Sequence, residues 1–229
     1  MKYSLFGLAG LAAVIGTPAL AADIPLKAPP VAAVYNWTGC YVGVEGGADW
    51  GGTRIYDYLV GGYITNPFNF SGGLLGGTIG CNYQFNGNWV VGVEDDLSWT
   101  NNQGSATNLA VATTTNTLHE NWIDTLRGRA GIAVGNWLFY GTAGAAFVNT
   151  KLTVVGLAGT FSETQTLTGW TAGTGVEVGL GPHWSLKAEY LYIGLGNPNY
   201  TSMPSPPIDP RRLDNLNTQL ARAGLNFRF

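Results

Sequence analysis

Apolar and polar residues alternate along most of the chain with a repeat of two residues. The alternation is clearest at the carboxyl end, where Leu225, Phe227 and Phe229 fall on one face and Asn226 and Arg228 on the other. Successive side chains of a β-strand point to opposite faces of the sheet, so this repeat predicts half-buried strands. The chain is therefore predicted to be all-β.

The strand pattern occurs eight times, separated by turns and polar loops. The predicted strands lie near 38–50, 70–85, 88–99, 119–134, 137–148, 164–180, 184–195 and 217–229. An even number of antiparallel strands lets the first strand pair with the last. Such pairing leaves no open sheet edge, as a lipid environment requires.

The connections between these strands alternate in length. Three are tight turns with hairpin chemistry, because Gly or Asn can adopt a positive φ: Asn86-Gly87-Asn88, Gly135-Asn136 and Gly181-Pro182-His183. Four are longer: 51–69, 100–118, 149–163 and 196–216. Short periplasmic turns and long extracellular loops are typical of an eight-stranded, up-and-down transmembrane β-barrel, which is the predicted fold.

The eight tryptophans fall near the two ends of the predicted strands. Four lie at the periplasmic ends and four at the outer ends: Trp37, Trp89, Trp137 and Trp184, then Trp50, Trp99, Trp122 and Trp170. Tryptophan favours the membrane interface because its ring is apolar while its N–H needs a polar partner. The distance from Trp89 to Trp99, at ~3.3 Å per residue and a tilt of ~40°, matches an apolar band of ~25 Å. The alternative, aromatic residues in the core of a soluble sandwich, would not sort them into two belts.

The amino terminus predicts export. Lys2 is followed by a nearly continuous apolar run, Leu5 to Ile15, and then by the small-x-small pattern Ala19-Leu20-Ala21. Residues 1–21 are predicted to be a cleaved secretory signal rather than a short core helix. Residues 22–36 contain three prolines and read as a mobile periplasmic linker, and 37–229 as the barrel.

Charge is scarce and slightly negative. Only 11% of the residues are charged, against about 25% in soluble domains. Loss of Lys2 with the signal leaves 10 basic and 14 acidic residues, a net charge of −4. This balance argues against nucleic-acid binding, which favours clustered positive charge. The low charge also indicates that much of the surface contacts a solvent other than water.

The few charges of the strands fall mainly on the face opposite the apolar residues. The predicted inward set is Glu45, Glu94, Arg127, Arg129, Glu177, Lys187, Glu189 and Arg222. Unpaired buried charges are costly, and the interior of an eight-stranded barrel is only wide enough for side chains. We therefore expect an interior ion-pair network without a wide channel; a selectivity constriction or proton path is the alternative. Asp95 and Asp124 break the pattern by falling on the lipid face, so we expect them near the interface or at a bulge.

The two cysteines lie on the apolar face of neighbouring strands. Cys40 belongs to the first predicted strand and Cys81 to the second, both toward the periplasmic end. Neighbouring antiparallel strands can bring such a pair within disulfide reach, and the periplasm is oxidising. The pair is a candidate disulfide, with two lipid-facing thiols as the alternative.

Several motifs together resemble the porin-family outer-membrane β-barrels abundant in alphaproteobacteria, which include OmpA-like eight-stranded surface antigens. They are Trp37-Thr38-Gly39-Cys40-Tyr41-Val42-Gly43-Val44, Gly72-Gly73-Leu74-Leu75-Gly76-Gly77, Trp89-Val90-Val91-Gly92-Val93-Glu94, Leu126-Arg127-Gly128-Arg129 and Gly224-Leu225-Asn226-Phe227-Arg228-Phe229. The resemblance implies a Gram-negative outer-membrane location and a role in envelope integrity and surface exposure. It also implies that Phe227 and Phe229 form a signal for the barrel-assembly machinery. Cys40 and Cys81 depart from the aromatic residues expected there, and we expect the chain to lack the peptidoglycan-binding domain of full OmpA proteins.

Catalysis and cofactor binding find little support. No metal-ligand spacing is present, and the glycines from Gly72 to Gly80 lack the Lys and Ser or Thr of a phosphate loop. His119 lies beside Glu120, but no motif places a serine near them, and His183 lies in a turn. We expect no cofactor and no enzymatic activity.

The outer loops carry the remaining candidate contacts. Arg211 and Arg212 lie at the height of lipopolysaccharide phosphates, so they are candidate contacts to that lipid; solvated loop arginines are the alternative. The loops are also candidates for binding host or phage surfaces. The sequence thus predicts a monomeric, non-enzymatic surface barrel. A narrow porin is the second interpretation, and a soluble barrel with an internal apolar ligand, which the inward charges disfavour, is the third.

Overall fold

The structure is a computed structural model that describes residues 35–157, 159–201 and 210–229. The predicted signal, 1–21, and residues 22–34 of the predicted linker lie outside the described residues. The same holds for residues 202–209 of the last predicted loop. Among the described residues, no helix has the length and apolarity needed to cross a membrane.

The described chain forms eleven strands, eight of them long. They are β1 (Gly39–Asp57), β2 (Gly62–Tyr63), β3 (Phe68–Phe85), β4 (Trp89–Thr100), β5 (Gln103–Thr107), β6 (Thr115–Val134), β7 (Trp137–Gly156), β8 (Gly159–Gly179), β9 (Trp184–Gly196), β10 (Asn199–Tyr200) and β11 (Arg211–Arg228). The short strands β2, β5 and β10 extend the sheet at its outer end by pairing with β1, with β3 and β6, and with β11.

The eight long strands form one closed antiparallel ring, as predicted. Their order is β1-β3-β4-β6-β7-β8-β9-β11, and β11 returns to pair with β1 along almost its full length, from Tyr41 opposite Arg228 to Asp57 opposite Arg211. Because the ring closes, neither β1 nor β11 exposes a free edge, and the backbone groups at the seam are paired without help from water.

The tight turns use the predicted glycine and asparagine residues. Asn86 and Gly87 have φ values of 48° and 78°, and Gly135 has φ 61°. These left-handed conformations match the right-handed twist of the strands that they join. The turns therefore fix the register of the hairpins at the periplasmic end.

The outward surface changes character along each strand. In β7, Phe139 faces outward and is 55% exposed, and outward Asn149 and Lys151 follow nearer the outer end. The inward positions of the same strand are buried from Leu138 to Val154, except Gly144, which is partly buried. The outward face therefore passes from apolar to polar near Asn149, which marks the outer boundary of the lipid-facing band.

The strands continue well beyond the predicted boundaries, which corrects the four long loops. Much of 51–69, 100–118, 149–163 and 196–216 is strand, and residues 157 and 158 alone separate β7 from β8. Beyond the outer boundary the barrel keeps its period of two, but apolar side chains such as Ile55, Leu118 and Leu152 now face inward. Strand boundaries predicted from apolar residues on the outward face therefore end at the outer tryptophans, although the strands continue beyond them.

Close packing between β6 and β7 predicts a folding defect for one glycine substitution. A Cβ at Gly144 would lie 2.0 Å from the carbonyl oxygen of Leu126, whereas one at Gly128 would meet only the Ala143 carbonyl oxygen at 4.0 Å. Gly144→Ala should destabilise the barrel by about 1–3 kcal/mol through overpacking. The fraction of fast-migrating, unboiled protein on a gel measures folding. Gly128→Ala is the matched control, and equal folding of both variants would contradict the packing argument.

Candidate functional site

All eight predicted inward charges lie inside the barrel and are buried. They are Glu45, Glu94, Arg127, Arg129, Glu177, Lys187, Glu189 and Arg222. They come from β1, β4, β6, β8, β9 and β11, so they converge from around the ring. Their convergence follows from the alternation of each strand, which turns one face to the barrel axis.

Arg127 lies at the centre of this charged layer. Its Nη2 donates to Glu94 Oε1 at 2.5 Å and to Asp96 Oδ2 at 2.7 Å, and its Nη1 donates to Glu189 Oε1 at 2.9 Å. The Arg127 side chain has no exposed surface. A single guanidinium thus joins three carboxylates from two strands, using the fork geometry that suits arginine to carboxylates.

Arg222 is a second branching point. Its Nη1 contacts Glu45 and donates to Asp96 Oδ1 at 2.5 Å, while its Nη2 donates to Glu189 Oε2 at 2.7 Å. Arg222 therefore shares Asp96 and Glu189 with Arg127. The sharing couples the two arginines into one network, in which removal of either cation leaves carboxylates without their full set of partners.

Lys187 and Arg129 extend the network toward the periplasmic end. Lys187 Nζ lies 3.2 Å from Glu45 Oε2 and 3.1 Å from Glu94 Oε1. Arg129 joins Glu94 Oε2 at 3.2 Å to Glu177 Oε2 at 2.7 Å. All these side chains are at most 1% exposed. Water therefore contributes little to the stabilisation of these charges, and the opposite charges around them must replace it.

The register of the sheet explains why these pairs meet. Two of the contacting pairs lie directly across neighbouring strands: Glu94 with Arg127, and Glu189 with Arg222. Directly opposite side chains on one face are the nearest neighbours that a sheet provides. Three more pairs join neighbouring strands diagonally: Arg127 with Asp96, Arg129 with Glu94, and Arg222 with Glu45. The other contacts join strands that are not neighbours, which is possible only because the barrel is narrow.

Asp96 belongs to this layer although it was not among the eight predicted network residues. It accepts hydrogen bonds from Arg127, Arg222 and the hydroxyl of Thr125, the last at 2.8 Å. Five carboxylates therefore face four cations. The alternation of β4 in the sequence already indicated that Asp96 faces inward, because it lies two residues after Glu94 on the same face.

Apolar clusters close the barrel on both sides of the charged layer. At the periplasmic end the cluster consists of Tyr35, Trp37, Val90, Ala133, Leu138 and Tyr140. Toward the outer end a larger cluster includes Ile55, Leu118, Ile123, Val148, Leu152, Leu191, Leu213 and Leu220. The charged residues are therefore sealed between two apolar layers, which exclude water and strengthen the ion pairs.

Trp37 belongs to the periplasmic cluster, which corrects its predicted place in the aromatic belt. It is 0% exposed, its ring centroid lies 4.6 Å from that of Tyr35, and the Arg228 guanidinium lies 5.0 Å above it. Its backbone N–H donates to Gln84 Oε1 at 2.8 Å. Residues 35–38 precede β1 and are not in a strand, so strand alternation does not determine where Trp37 points.

Tyr35 and Asn36 correct the end of the predicted linker. Tyr35 is buried, and the Arg228 guanidinium lies 4.7 Å from its ring centroid. The carbonyl oxygen of Asn36 accepts a hydrogen bond from Arg228. The aromatic ring of Tyr35 and the carbonyl of Asn36 thus contact a buried guanidinium, which holds these two residues against the barrel.

Six of the other tryptophans lie on the outward face at the two ends of the lipid-facing band. Trp50, Trp89, Trp99, Trp137, Trp170 and Trp184 are between 38% and 62% exposed. Trp122 is half-buried and pairs directly with Trp99 across β4 and β6. Asp95 and Asp124 also face outward in this region, and each lies opposite a leucine of the neighbouring strand, Leu126 and Leu97. The sequence rule that put both carboxylates on the outward face therefore agrees with the structure.

The structure joins Cys40 and Cys81 in a disulfide. The two residues lie directly opposite each other on β1 and β3, and their Cα atoms are 4.0 Å apart. The bridge links strands that are already paired, close to the periplasmic end of the barrel. It adds a covalent tie where the first strand begins.

A bulge in β6 places Glu120 inside the outer part of the barrel. The register shifts between Glu120 and Trp122, so alternation from Arg127 would have turned Glu120 outward and His119 inward. Glu120 is buried; its Oε2 accepts from Asn102 Nδ2 at 2.9 Å and its Oε1 from the hydroxyl of Thr218 at 2.7 Å. His119 and Glu120 are consecutive strand residues that point to opposite faces, which disfavours a catalytic pair.

Glu120 shares its amide partner with a second carboxylate. Asn102 Nδ2 also donates to Asp49 Oδ2 at 2.9 Å, and the hydroxyl of Thr100 donates to that same oxygen at 2.9 Å. Glu120 lies two residues beyond Trp122, on the outer side of the outer belt. Burial without a cation raises the pKa of Glu120 to about 7, and the nearby Asp49 charge adds to the shift.

Arg211 and Arg212 differ in orientation, and the structure corrects the predicted lipid contact for Arg211 alone. Arg211 is buried, its Nη1 donates to Asn116 Oδ1, and its Nε lies 4.0 Å from Asp57 Oδ2. Arg212 faces outward and pairs with Asp214. The reason is a bulge opposite β1, where the left-handed Asn215 (φ 55°) and Leu216 face the single residue Thr53, which reverses the alternation of β11 beyond it. Arg211 is therefore unavailable to an external lipid.

The remaining predicted residues lie at the periplasmic end. Phe227 packs against Trp184, with ring centroids 5.0 Å apart, and His183 lies 5.7 Å from it. His183 Nδ1 is within 3.0 Å of the Arg228 carbonyl oxygen. Phe229 is largely exposed. His183 thus has a structural contact in a turn, and the two phenylalanines face outward.

Comparisons with known proteins agree with this architecture. Residues 9–229 match the family described as outer membrane protein beta-barrel domain. The chain belongs to this family. It is 30% identical to the 31 kDa outer-membrane immunogenic protein of Brucella melitensis over 256 aligned positions, which cover 97% of this chain and 98% of that protein. The protein is therefore an outer-membrane barrel of the surface-antigen type, in the outer membrane of a Gram-negative bacterium.

Solved structures share the fold at low sequence identity. The outer membrane protein OprG of Pseudomonas aeruginosa aligns with a TM-score of 0.58 and 16% identity, over 85% of this chain and 99% of OprG. The outer membrane protease OmpT of Escherichia coli aligns with a TM-score of 0.53 and 8% identity, over 85% of this chain and 98% of OmpT. At these identities the similarity concerns the barrel fold alone.

The shared carboxylates predict a large effect of removing Arg127. Arg127→Met should destabilise the folded barrel by about 3–5 kcal/mol, because Glu94, Asp96 and Glu189 lose a buried partner. The free energy of unfolding in denaturant, measured in lipid vesicles, tests this. Lys151→Met removes an exposed outward charge and should change stability by no more than about 0.5 kcal/mol. Similar losses in both variants would contradict the network.

Glu120 predicts a pH-dependent stability. Its pKa in the folded state, about 7, is above the ordinary value of 4.5, so ionisation favours the unfolded chain. Its contribution to stability is complete below pH 4.5 and is lost as the pH rises through 7, by about 3 kcal/mol. Glu120→Gln should remove this slope and stabilise the protein at pH 8. Unfolding curves between pH 4 and pH 8 measure it, and an unchanged slope in the variant would contradict the assignment.

Proposed function

We propose that the protein is a closed, non-enzymatic outer-membrane barrel that contributes to envelope integrity and presents its outer end for surface interactions. The observation that carries this proposal is the layered interior. Five carboxylates and four cations, each at most 1% exposed, lie between two apolar clusters. Such an interior supports a scaffold, because opening it would separate ion pairs that water does not solvate.

The same layer also supports the second candidate, a narrow pore for small solutes or ions. Charged side chains ring the lumen at one height, as they do in selectivity constrictions. We favour the closed state because the larger apolar cluster lies on the outer side of the charges and contains bulky side chains such as Leu118, Leu152 and Leu213. An ion would have to displace this packed layer before it reached the charged layer around Arg127.

The absence of enzymatic activity is part of the proposal and has its own support. His119 and Glu120, the nearest approach to a catalytic pair in the sequence, point to opposite sides of β6. The five carboxylates of the charged layer are held by arginine and lysine, so they are poorly placed to act on an external substrate. The outer face is consequently the part of the molecule that is free to interact.

Single-channel conductance of the refolded barrel in a planar bilayer tests the closed state. We expect no discrete conductance steps, provided that gel mobility confirms insertion and folding. Leu118→Ala combined with Leu152→Ala should thin the outer apolar layer and is the matched test of its role. Reproducible steps in the unmodified protein would establish the pore instead, and Arg127→Met would then be expected to change their size or ion preference.

A further inference from the structure

A groove runs along the outward face of β1, beyond the outer tryptophan belt. Its lower part, of about 420 Å³, is lined by residues that include Trp50, Gly52, Asn69, Asn217 and Gln219. Its upper part, of about 320 Å³, shares Gly52, Asn69 and Asn217 and adds Arg54, Tyr63 and Asp214. Because the two parts share three residues, they form one continuous depression between β3 and β11.

The depression exists because β1 carries no side chain at Gly52. A Cβ built there would lie 3.1 Å from Asn69 Oδ1, which is tighter than ordinary contact. The outward neighbours of Gly52 along the strand are Trp50 and Arg54, so a floor without a side chain separates an aromatic ring from a cation. The groove therefore has two different ends, with the aromatic ring of Trp50 at the lower end and the cation of Arg54 at the upper end.

The lining combines amides, a hydroxyl and an aromatic ring. Asn69 and Ser71 line the β3 side, and Asn217 and Gln219 line the β11 side. Amide side chains can both donate and accept hydrogen bonds, as sugar hydroxyls require. Trp50, which is outward-facing and exposed, offers an apolar surface beside them. The combination suits a saccharide better than an acyl chain.

Arg54 supplies positive charge at the upper end of the groove. Its guanidinium lies 3.6 Å from the ring centroid of Tyr63, and its Nε donates to the Thr65 carbonyl oxygen at 3.3 Å. Among the described residues no acceptor engages its two Nη groups. The tyrosine ring therefore orients a guanidinium that retains free donors for a phosphate.

The neighbouring acidic residue does not cancel this charge. Asp214 is paired with Arg212, whose Nη2 lies 3.0 Å from Asp214 Oδ2, and it also accepts from the Tyr63 hydroxyl at 2.7 Å. The hydrogen bond from Arg212 lowers the pKa of Asp214, so its carboxyl is ionised. One carboxylate thus faces two guanidinium groups, and the groove keeps a net positive charge.

The height of the groove identifies what it meets. Arg54 is four residues beyond Trp50, which at ~3.3 Å per residue and a tilt of ~40° is about 10 Å above the belt. The outer leaflet of the Gram-negative outer membrane presents phosphorylated sugars of its glycolipid at that level. We propose that the groove binds the phosphorylated sugar headgroup of an outer-leaflet lipopolysaccharide, with Arg54 on a phosphate and the Trp50 end on the sugar. This goes beyond the scaffold role and does not depend on it.

Binding of fluorescently labelled lipopolysaccharide that retains only its lipid A and inner core sugars, measured by polarisation on the refolded barrel in detergent, tests the proposal. Arg54→Gln should weaken binding about tenfold or more, because charge-assisted hydrogen bonds to the phosphate are lost. Gly52→Val should weaken it comparably by filling the floor without changing any charge. Lys151→Gln is the matched control, since it removes an exposed cation from β7, four strands away around the ring.

The outcomes separate the proposal from its alternatives. Equal weakening by Lys151→Gln would mean general attraction to the barrel and would overturn it, as would unaltered binding by both groove variants. Competition by phosphatidylglycerol as effective as that by the glycolipid would overturn recognition of the sugar. Gel mobility confirms that each variant folds, and Asn217→Ala replaces Gly52→Val if that variant does not. The outcome of the conductance experiment does not affect these binding measurements. Failure of the groove proposal can therefore be distinguished from failure of the scaffold proposal.

Discussion

The closure of the sheet between β1 and β11 is the constraint on which the rest of the structure depends. A strand in lipid cannot leave its backbone N–H and C=O groups unpaired, so the first and last strands must meet. With eight strands, that closure fixes a narrow lumen. The narrow lumen in turn decides what the inward residues can be, because every side chain turned toward the axis contacts others from across the ring. The charged layer and the glycines at close strand contacts are both consequences of this geometry.

A period of two runs through the whole barrel, but the polarity of its two faces depends on height. In the lipid-facing band the outward residues are apolar and the lumen holds Arg127, Arg222 and their carboxylates. Beyond the outer belt the outward residues are mostly polar, and apolar side chains such as Ile55, Leu118 and Leu152 face the lumen. The upper half is therefore organised like a soluble barrel placed on top of a membrane barrel. The solvent on the outside changes, and the side chains on both faces change with it.

The period of two was sufficient to predict the ring, the tight turns and the inward charges, because each follows from alternation within one strand. It failed where alternation is interrupted. The bulge before Trp122 turns Glu120 inward, and the bulge at Asn215 turns Arg211 inward, yet neither is signalled by a glycine or proline at the bulged residues of the strand. Trp37 precedes β1, so no strand parity applies to it. The outward position of Arg54 was within reach of the same rule, but the predicted loop at 51–69 concealed it.

The bulges also explain why polar groups appear in the outer apolar cluster. A strand that keeps strict alternation would place Glu120 outside, where water would solvate it. The extra residue at the bulge instead turns the Glu120 side chain inward, beside Asp49 and Asn102. Burial there disfavours the charged form of its carboxyl group. The groove on β1 arises differently, from a missing side chain at Gly52 rather than an added residue. The bulges that turn polar side chains inward thus affect the stability of the outer barrel. The missing side chain at Gly52 instead shapes the outward surface that is available to a ligand.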